Sequence, residues 1–168
     1  RDTDRLITKA NTDDLTGLAN RRGLSEAMEE YVAEYEKRGV DFAIVVVDAN
    51  NLNDFNESYG HDFGDKYLIM IAQDLLKIAG NSAVVSRLGG DCFIIVRQIP
   101  RDDTPSMVSE TILSMLDHIR LKQREIRMID NHSFRIDVAV GWAAYSEFED
   151  IEKTKNMADE RMYSEKNI

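Results

Sequence analysis

The chain has 168 residues, of which 43% are hydrophobic and 31% are charged, and this balance predicts one soluble globular domain. No apolar run approaches the roughly 18 residues that a transmembrane helix needs. The formal net charge of −10 argues against nucleic acid as a partner, because a phosphate backbone binds to a basic surface. An anionic ligand would therefore need a metal ion to mediate its contact with this protein.

The ends and the cysteine content bear on the compartment and on domain organisation. A single cysteine, Cys92, excludes an internal disulfide and is typical of a reducing compartment. We therefore expect a cytoplasmic location, either free or as the cytoplasmic part of a membrane-bound sensor. The chain starts at Arg1 without a signal-peptide pattern. We interpret residues 1–11 as the end of an upstream signalling helix or linker, and residues 12–168 as one domain.

The first half of the chain changes from helical to strand periodicity. Apolar residues recur at helical spacing over residues 20–38. Residues 41–48 form a short apolar run rich in branched side chains, which is typical of a strand covered on both faces. Residues 50–64 are polar and are expected to form a loop, followed by a helix that ends near Gly80.

The second half begins with a hairpin. Residues 83–87 and 92–96 are predicted strands joined by residues 88–91. Thr104 and Pro105 suit the N-cap and the first position of the next helix.

The remaining elements complete the predicted fold class. Alternating apolar residues over 134–142 indicate a strand with one apolar face, and a last helix is expected from about Ile151 to Lys166. The order of the elements indicates an α/β fold with a central mixed sheet of about five strands flanked by helices.

Two acids stand at the ends of predicted strands. Asp48 closes the most apolar strand, and Asp91 follows two glycines in the hairpin turn. If both strands share a sheet, the two carboxylates meet at one edge, where they could hold divalent ions that bridge phosphate oxygens. Gly89 and Gly90 would let the main chain approach those phosphates closely. The alternative is that this segment is only a tight turn.

The segment NESYGHDFGD, residues 56–65, carries a second group of polar side chains. Asn56 and Asp65 offer an amide and a carboxylate, the complementary pair that can recognise a guanine edge. The structural alternative makes them a turn residue and the N-cap of the next helix. His61 has the chemistry of a metal ligand, but we interpret it as a structural histidine that hydrogen-bonds its own turn.

Several motifs occur in a fixed order along the chain. They are TDDLTGLANRR (12–22), NESYGHDFGD (56–65), RLGGDCF (87–93), VAVGWA (138–143) and ADERMYSEK (158–166). Together they resemble the GGDEF domain, the diguanylate cyclase family, over nearly the full length of the chain. The resemblance implies a palm-like fold related to nucleotide cyclases and polymerases. It also implies a reaction in which two GTP molecules give cyclic di-GMP and pyrophosphate.

By position, the resemblance assigns the catalytic and metal-binding residues. Asp48 and Asp91 would be the catalytic acids and, with the carbonyl of Ala49, the ligands of Mg²⁺ or Mn²⁺. The implied partners are GTP, a second GGDEF subunit that supplies the other GTP, and an upstream sensor domain in the full-length protein.

The resemblance also assigns the nucleotide-binding residues. Asn56 and Asp65 would recognise guanine, and Gly89 and Gly90 would line the phosphates. Lys166 would contact the terminal phosphates, with an exposed helix-end cation as the alternative interpretation.

The departures from the family pattern cluster at its chemistry. Cys92 stands where the family has a glutamate at the metal site, and a neutral thiol is a poor ligand for Mg²⁺. We interpret Cys92 as a small, partly buried strand residue, with a redox sensor as the alternative. The segment 48–53 lacks the family's second acid, aromatic and lysine. Gly80 and Ala83 occupy the arginine and aspartate positions of the product-inhibition site, so feedback through that site is not expected.

These departures shape the expected function. Each lost charged contact to a transition state costs about 2 to 4 kcal/mol in a site of low dielectric. We expect a degenerate domain that binds GTP with Mg²⁺, has weak or no turnover and serves as the regulatory or output module of a bacterial signalling protein. One alternative is an active diguanylate cyclase that tolerates Cys92. Another is a dimerisation module without nucleotide affinity.

Overall fold

The fold comes from a computed structural model, which describes residues 9–99 and 105–166 apart from the side chains of 105–109. Its elements in chain order are α1 (Arg21–Arg38), β1 (Phe42–Ala49), α2 (Leu52–Tyr59), α3 (His61–Ala79), β2 (Ala83–Gly89), β3 (Cys92–Gln98), α4 (Pro105–Arg124), β4 (Arg127–Ile129), β5 (His132–Phe134), β6 (Val138–Ala144), a 3-10 turn (Tyr145–Glu147) and α5 (Ile151–Lys166). None of the helices in these ranges has both the length and the apolar character that a membrane crossing requires. Residues 9–11 are helical, whereas residues 1–8 and the expected N-cap Thr104 lie outside the described residues.

The central sheet has four strands in the order β2-β3-β1-β6, so the α/β class is confirmed. Every strand pair is antiparallel, and the described parallel pairing is a single bridge between Ala19 and Ser86. The expectation of a mixed sheet of about five strands is therefore wrong. The predicted strand over 134–142 is interrupted at 135–137. Its first part pairs with β4 in a separate two-stranded sheet, and only β6 joins the central sheet.

Strand β1 is buried on both faces, as its continuous apolar run predicts. Ala43, Val45 and Val47 lie in the core under α3 and α4. Phe42 and Ile44, on the other face, lie in a second core with residues of α1 and α5. Strand β1 is therefore a central strand of the fold, buried on both faces. Asp48 lies near its carboxyl end, at one edge of the sheet.

The expectation of a loop over residues 50–64 is wrong, because α2 and the start of α3 occupy it. Helix α2 has no fully buried residue, and only Leu52 and Phe55 pack partly against the core. A helix of this length with mostly polar residues shows too little apolar periodicity to be recognised from the sequence. Gly60 separates α2 from α3. Its backbone φ is +93°, a value that favours glycine.

Helix α5 packs very closely on β6. A Cβ atom on Gly141 would overlap the backbone nitrogen of Met162 and the carbonyl oxygen of Ala158, so only glycine permits this approach. Arg161 further ties the helix to the sheet, because its Nη1 donates to the carbonyl oxygen of Trp142 at 2.8 Å. This packing determines where Lys166, in the last turn of α5, lies.

Candidate functional site

The end of β1 and the β2–β3 turn meet at one edge of the sheet. Asp48 lies opposite Cys92 in the antiparallel register, and the backbone N–H of Ala49 donates to the carbonyl oxygen of Asp91 at 2.8 Å. The structure therefore brings Asp48, Ala49 and Asp91 together as the sequence predicts. A cavity at this edge is lined by Ala49, Asn50, Asn51, Leu52, Asn53, Asp54, Asp91 and Lys166.

The turn itself depends on the two glycines. Gly89 has φ +122° and Gly90 has φ +52°, and residues that carry a side chain rarely adopt such backbone angles. The two-residue turn consists of Gly90 and Asp91. Of these turn residues, Asp91 lines the cavity, and the two glycines before it are exposed and carry no Cβ.

Lys166 reaches into this edge of the sheet from the end of α5. Its Nζ donates to Oδ2 of Asp48 at 2.9 Å. This hydrogen bond outweighs burial and, with the charges of Asp48 and Asp91, raises the pKa of Lys166. Lys166 lies in the last turn of α5 with its side chain 29% exposed, which also agrees with the alternative interpretation of a helix-end cation. Its contact with terminal phosphates stays a prediction.

Cys92 contributes no charge to the site. Burial, and then the negative charges of Asp48, Asp159 and Asp91, raise the pKa of the Cys92 thiol to about 11. The thiol is therefore neutral at physiological pH, and its half-buried position agrees with the interpretation of a small strand residue. Within the described ranges, no three His, Cys, Asp or Glu side chains gather closely enough to hold a metal ion.

Asn50, which replaces the family's second acid, has a structural role that the sequence did not show. Its Nδ2 donates to Oδ1 of Asp137 at 3.0 Å, and Nδ2 of Asn51 donates to Oδ2 of the same carboxylate at 3.3 Å. An aspartate at position 50 would repel Asp137. Asn51 has φ +67°, a conformation that asparagine tolerates better than most residues.

Tyr67 supports the same strand end from α3. Its hydroxyl accepts from the backbone N–H of Asp137 at 3.1 Å and lies 3.1 Å from the carbonyl oxygen of Asn50. Burial raises the pKa of Tyr67 to about 12, so the hydroxyl keeps its proton for donation. Sequence reasoning missed Tyr67 and Asp137, because neither lies in a segment that suggested the site.

Asn56 and Asp65 lie on the two helices that Gly60 separates. The Oδ1 atom of Asn56 is buried and has no hydrogen-bond partner among the described residues. It packs over Gly64, where a Cβ atom would overlap it. A buried acceptor without a hydrogen-bond partner costs about 1 to 3 kcal/mol.

The structural alternatives for Asn56 and Asp65 are wrong, since Asn56 lies within helix α2 and not in a turn. Asp65 is exposed on α3, four residues after the helix begins at His61, so its interpretation as the N-cap is wrong. His61 is exposed and belongs to no group of potential metal ligands within the described ranges.

Arg87 contacts both Asp13 and the β2–β3 turn, and it connects the two. Nη1 of Arg87 lies 3.0 Å from Oδ1 of Asp13, and its Nε donates to the carbonyl oxygen of Gly90 at 3.0 Å. Burial raises the pKa of Asp13, but hydrogen bonds from Thr16 and the charge of Arg87 outweigh it and hold that pKa below its usual value. Asp13 belongs to the TDDLTGLANRR motif, which was the available signal for this contact.

With this geometry in place, the class of protein is clear: the family model for the diguanylate cyclase GGDEF domain matches residues 10–168, and the chain belongs to that family. The diguanylate cyclase DosC of Escherichia coli strain K12 is 27% identical over 151 residues, which cover 90% of this chain and 32% of DosC. The cyclic di-GMP phosphodiesterase NbdA of Pseudomonas aeruginosa is 26% identical over 140 residues, 83% of this chain and 17% of NbdA. The chain thus spans a third or less of these relatives.

A solved structure supports the fold. The coiled coil and GGDEF domain of DgcB from Caulobacter crescentus, in complex with c-di-GMP, aligns with a TM-score of 0.82 at 24% identity. The alignment covers 99% of this chain and 85% of that chain.

Proposed function

We propose that this domain binds GTP with Mg²⁺, converts it to cyclic di-GMP weakly or not at all, and serves as a regulatory or output module of a larger bacterial signalling protein. One observation carries the proposal. The side chain that faces Asp48 across the strand pair is the neutral thiol of Cys92, whereas the guanine pair Asn56 and Asp65 is complete.

The residues present fit a divalent ion that is shared with a nucleotide. Mg²⁺ sites usually combine one or two carboxylates with substrate phosphates and water. Asp48, Asp91 and the carbonyl of Ala49 would supply the protein's ligands, and Mn²⁺ suits the same oxygen ligands. Such an ion neutralises phosphate charge and lowers the pKa of an attacking hydroxyl.

The other residues position the nucleotide. Asp65 would accept from the guanine N1–H and exocyclic amine, and the Asn56 amide would meet the remaining edge. Gly89 and Gly90 would present backbone N–H groups to the phosphates. Lys166, already at this edge of the sheet, would contact the terminal phosphates.

Weak turnover follows from charges that the site lacks. Loss of one charged contact to a transition state costs about 2 to 4 kcal/mol, or about 10²- to 10³-fold in rate. Here Cys92 replaces one acid, Asn50 is engaged by Asp137, and Asn53 supplies no positive charge. The missing charges would lower the affinity for GTP less than they lower the rate of the chemical step.

The relatives favour a place in a larger protein. DosC is a diguanylate cyclase and NbdA a cyclic di-GMP phosphodiesterase, and this chain matches only part of each. Residues 1–11 would connect the domain to an upstream sensor, and a second subunit would supply the other GTP. Gly80 and Ala83 carry no charge with which to bind the product at the inhibition site.

A calorimetric titration of the purified protein with GTP, with and without Mg²⁺, tests the proposal, together with a chromatographic assay for cyclic di-GMP. We expect GTP to bind with Mg²⁺-dependent affinity and to be turned over far more slowly than about 1 s⁻¹, the lower end of ordinary enzyme rates. Product at ordinary enzyme rates would establish the active cyclase instead. Absence of any GTP binding would leave the dimerisation module.

A further inference from the structure

Asp48 and Lys166 form an ion pair within the candidate metal site. The Nζ atom of Lys166 lies 2.9 Å from Oδ2 of Asp48. The side chains of Lys166 and Asp48 are 29% and 17% exposed, so solvent screens this pair less than a fully exposed one. A cation that belongs to the chain itself therefore occupies one oxygen of the proposed metal ligand.

The position of Lys166 is set by packing. Gly141 lets the backbone of α5 lie against β6, and the Arg161 guanidinium bonds to the carbonyl of Trp142 and pairs with Glu147 at 3.1 Å. The last turn of α5 is thus held over the end of β1. The ammonium group meets Asp48 because the helix is anchored there.

Lys166 is also the only cation among the described residues that line this cavity, whereas Asp54 and Asp91 are acids on the same wall. The ammonium group takes one lone-pair site of Oδ2, and its positive charge repels a divalent ion that binds the same carboxylate. A phosphate group, in contrast, offers the ammonium an equally strong charged partner.

We propose that Lys166 is a built-in competitor of the divalent ion. It holds Asp48 while no nucleotide is bound, and it moves to phosphate oxygens when a nucleotide arrives. The ion therefore binds weakly alone and more tightly with a nucleotide, and by linkage each favours the other. The nucleotide half of this mechanism rests on the proposed function, but the competition for Asp48 involves only Lys166 and the ion.

Electron paramagnetic resonance of Mn²⁺ binding to the nucleotide-free protein tests the competition. We expect Lys166→Met to tighten Mn²⁺ binding by about three- to tenfold, the worth of a partly screened ion pair. Lys155→Met is the matched control. Lys155 is on the same helix and its charge reaches Cys92, yet Asp48 pairs with Lys166 instead. It should change the affinity less than about twofold if long-range charge is a minor contribution. Equal effects of the two variants would overturn the proposal.

Nuclear magnetic resonance of the lysine ammonium groups supplies a second readout that needs no activity. The Lys166 Nζ signal should move on addition of Mg²⁺ to the nucleotide-free protein, toward its position in Asp48→Asn, where the pair is already broken. If the Lys166 signal does not move although Mg²⁺ binds, the proposed competition is overturned. GTP added with a chelator should displace the same signal. If GTP does not bind at all, the proposed function fails while the two metal experiments still decide the competition.

Discussion

The two ends of the candidate site, the proposed base end and the proposed phosphate end, differ in how the fold builds them. At the base end, Asn56 and Asp65 lie on adjacent helices, and Asn56 packs over Gly64 with an unpartnered oxygen. At the phosphate end, Asp48 is paired with Lys166 and faces the neutral Cys92. The proposed base end has both of its proposed recognition residues, whereas at the proposed phosphate end Asp48 is already paired with a lysine of the same chain.

If the proposed function holds, this difference means that nucleotide affinity and catalysis can be lost separately. Recognition of guanine needs a few fixed donors and acceptors, whereas phosphoryl chemistry needs several charges in one place. Asn50, at the position where the family pattern has a second acid, makes a structural contact, since its amide donates to Asp137. The following predictions test this separation.

The largest effect is expected at the base end. Asp65→Ala should weaken GTP binding by about 10²-fold or more, because hydrogen bonds to a charged group contribute about 1.5 to 3 kcal/mol each. Calorimetry measures the change, with Asp62→Ala, an exposed acid on the same helix, as the matched control. Similar losses in both variants would show that net charge, and not recognition of the base, determines affinity.

A second test addresses the charge of Cys92. A pKa raised from 9.0 to about 11 leaves the native thiol with about 100-fold less thiolate at pH 8 than an ordinary thiol. Alkylation by iodoacetamide, followed by mass spectrometry, should therefore be slower by about that factor than in the urea-unfolded chain. The native rate should rise as pH increases toward 11. Equal native and unfolded rates at pH 8 would support the redox-sensor alternative.

Restoring the family's second acid should cost stability. Asn50→Asp places a carboxylate against Asp137, and we expect a loss of about 2 kcal/mol in the free energy of unfolding from repulsion and the lost hydrogen bond. Urea denaturation measures it. Asn53→Asp adds the same charge to the cavity without facing Asp137 and should be nearly neutral. The double variant Asn50→Asp/Asp137→Asn should recover most of the loss, and a failure to recover would contradict the assigned role of Asn50.

The smallest expected effect concerns the missing acid itself. Cys92→Glu should tighten Mn²⁺ binding by about tenfold, because one carboxylate joins the two present. Cys92→Gln has the same shape without the charge and should leave Mn²⁺ affinity unchanged. We expect only partial recovery of cyclic di-GMP synthesis, since Asn50 and Asn53 remain. An equal response of the glutamate and glutamine variants would mean that packing at position 92 matters more than charge.

Much of the fold was available from local patterns. The apolar run of β1 predicted a strand buried on both faces, and the paired glycines predicted the hairpin turn with Asp91. The motifs at residues 12–22, 56–65 and 87–93, with two later ones, indicated the family. The all-antiparallel sheet was not predicted, because strand direction depends on which strands pair. The break in the strand predicted over 134–142 was missed because the apolar alternation continues through residues 135–137. Helix α2 was missed because its polar surface resembles that of a loop.

The amino-acid sequence by itself determined the family, the α/β class and the identity of the acids at the sheet edge, since these depend on local periodicity and short motifs. Only the tertiary structure decided which polar and charged side chains contact each other. Lys166 is 118 residues from Asp48, and Asn50 is 87 residues from Asp137. Such contacts depend on how α5 packs against β6 and on where β5 gives way to β6, and no local pattern encodes either arrangement.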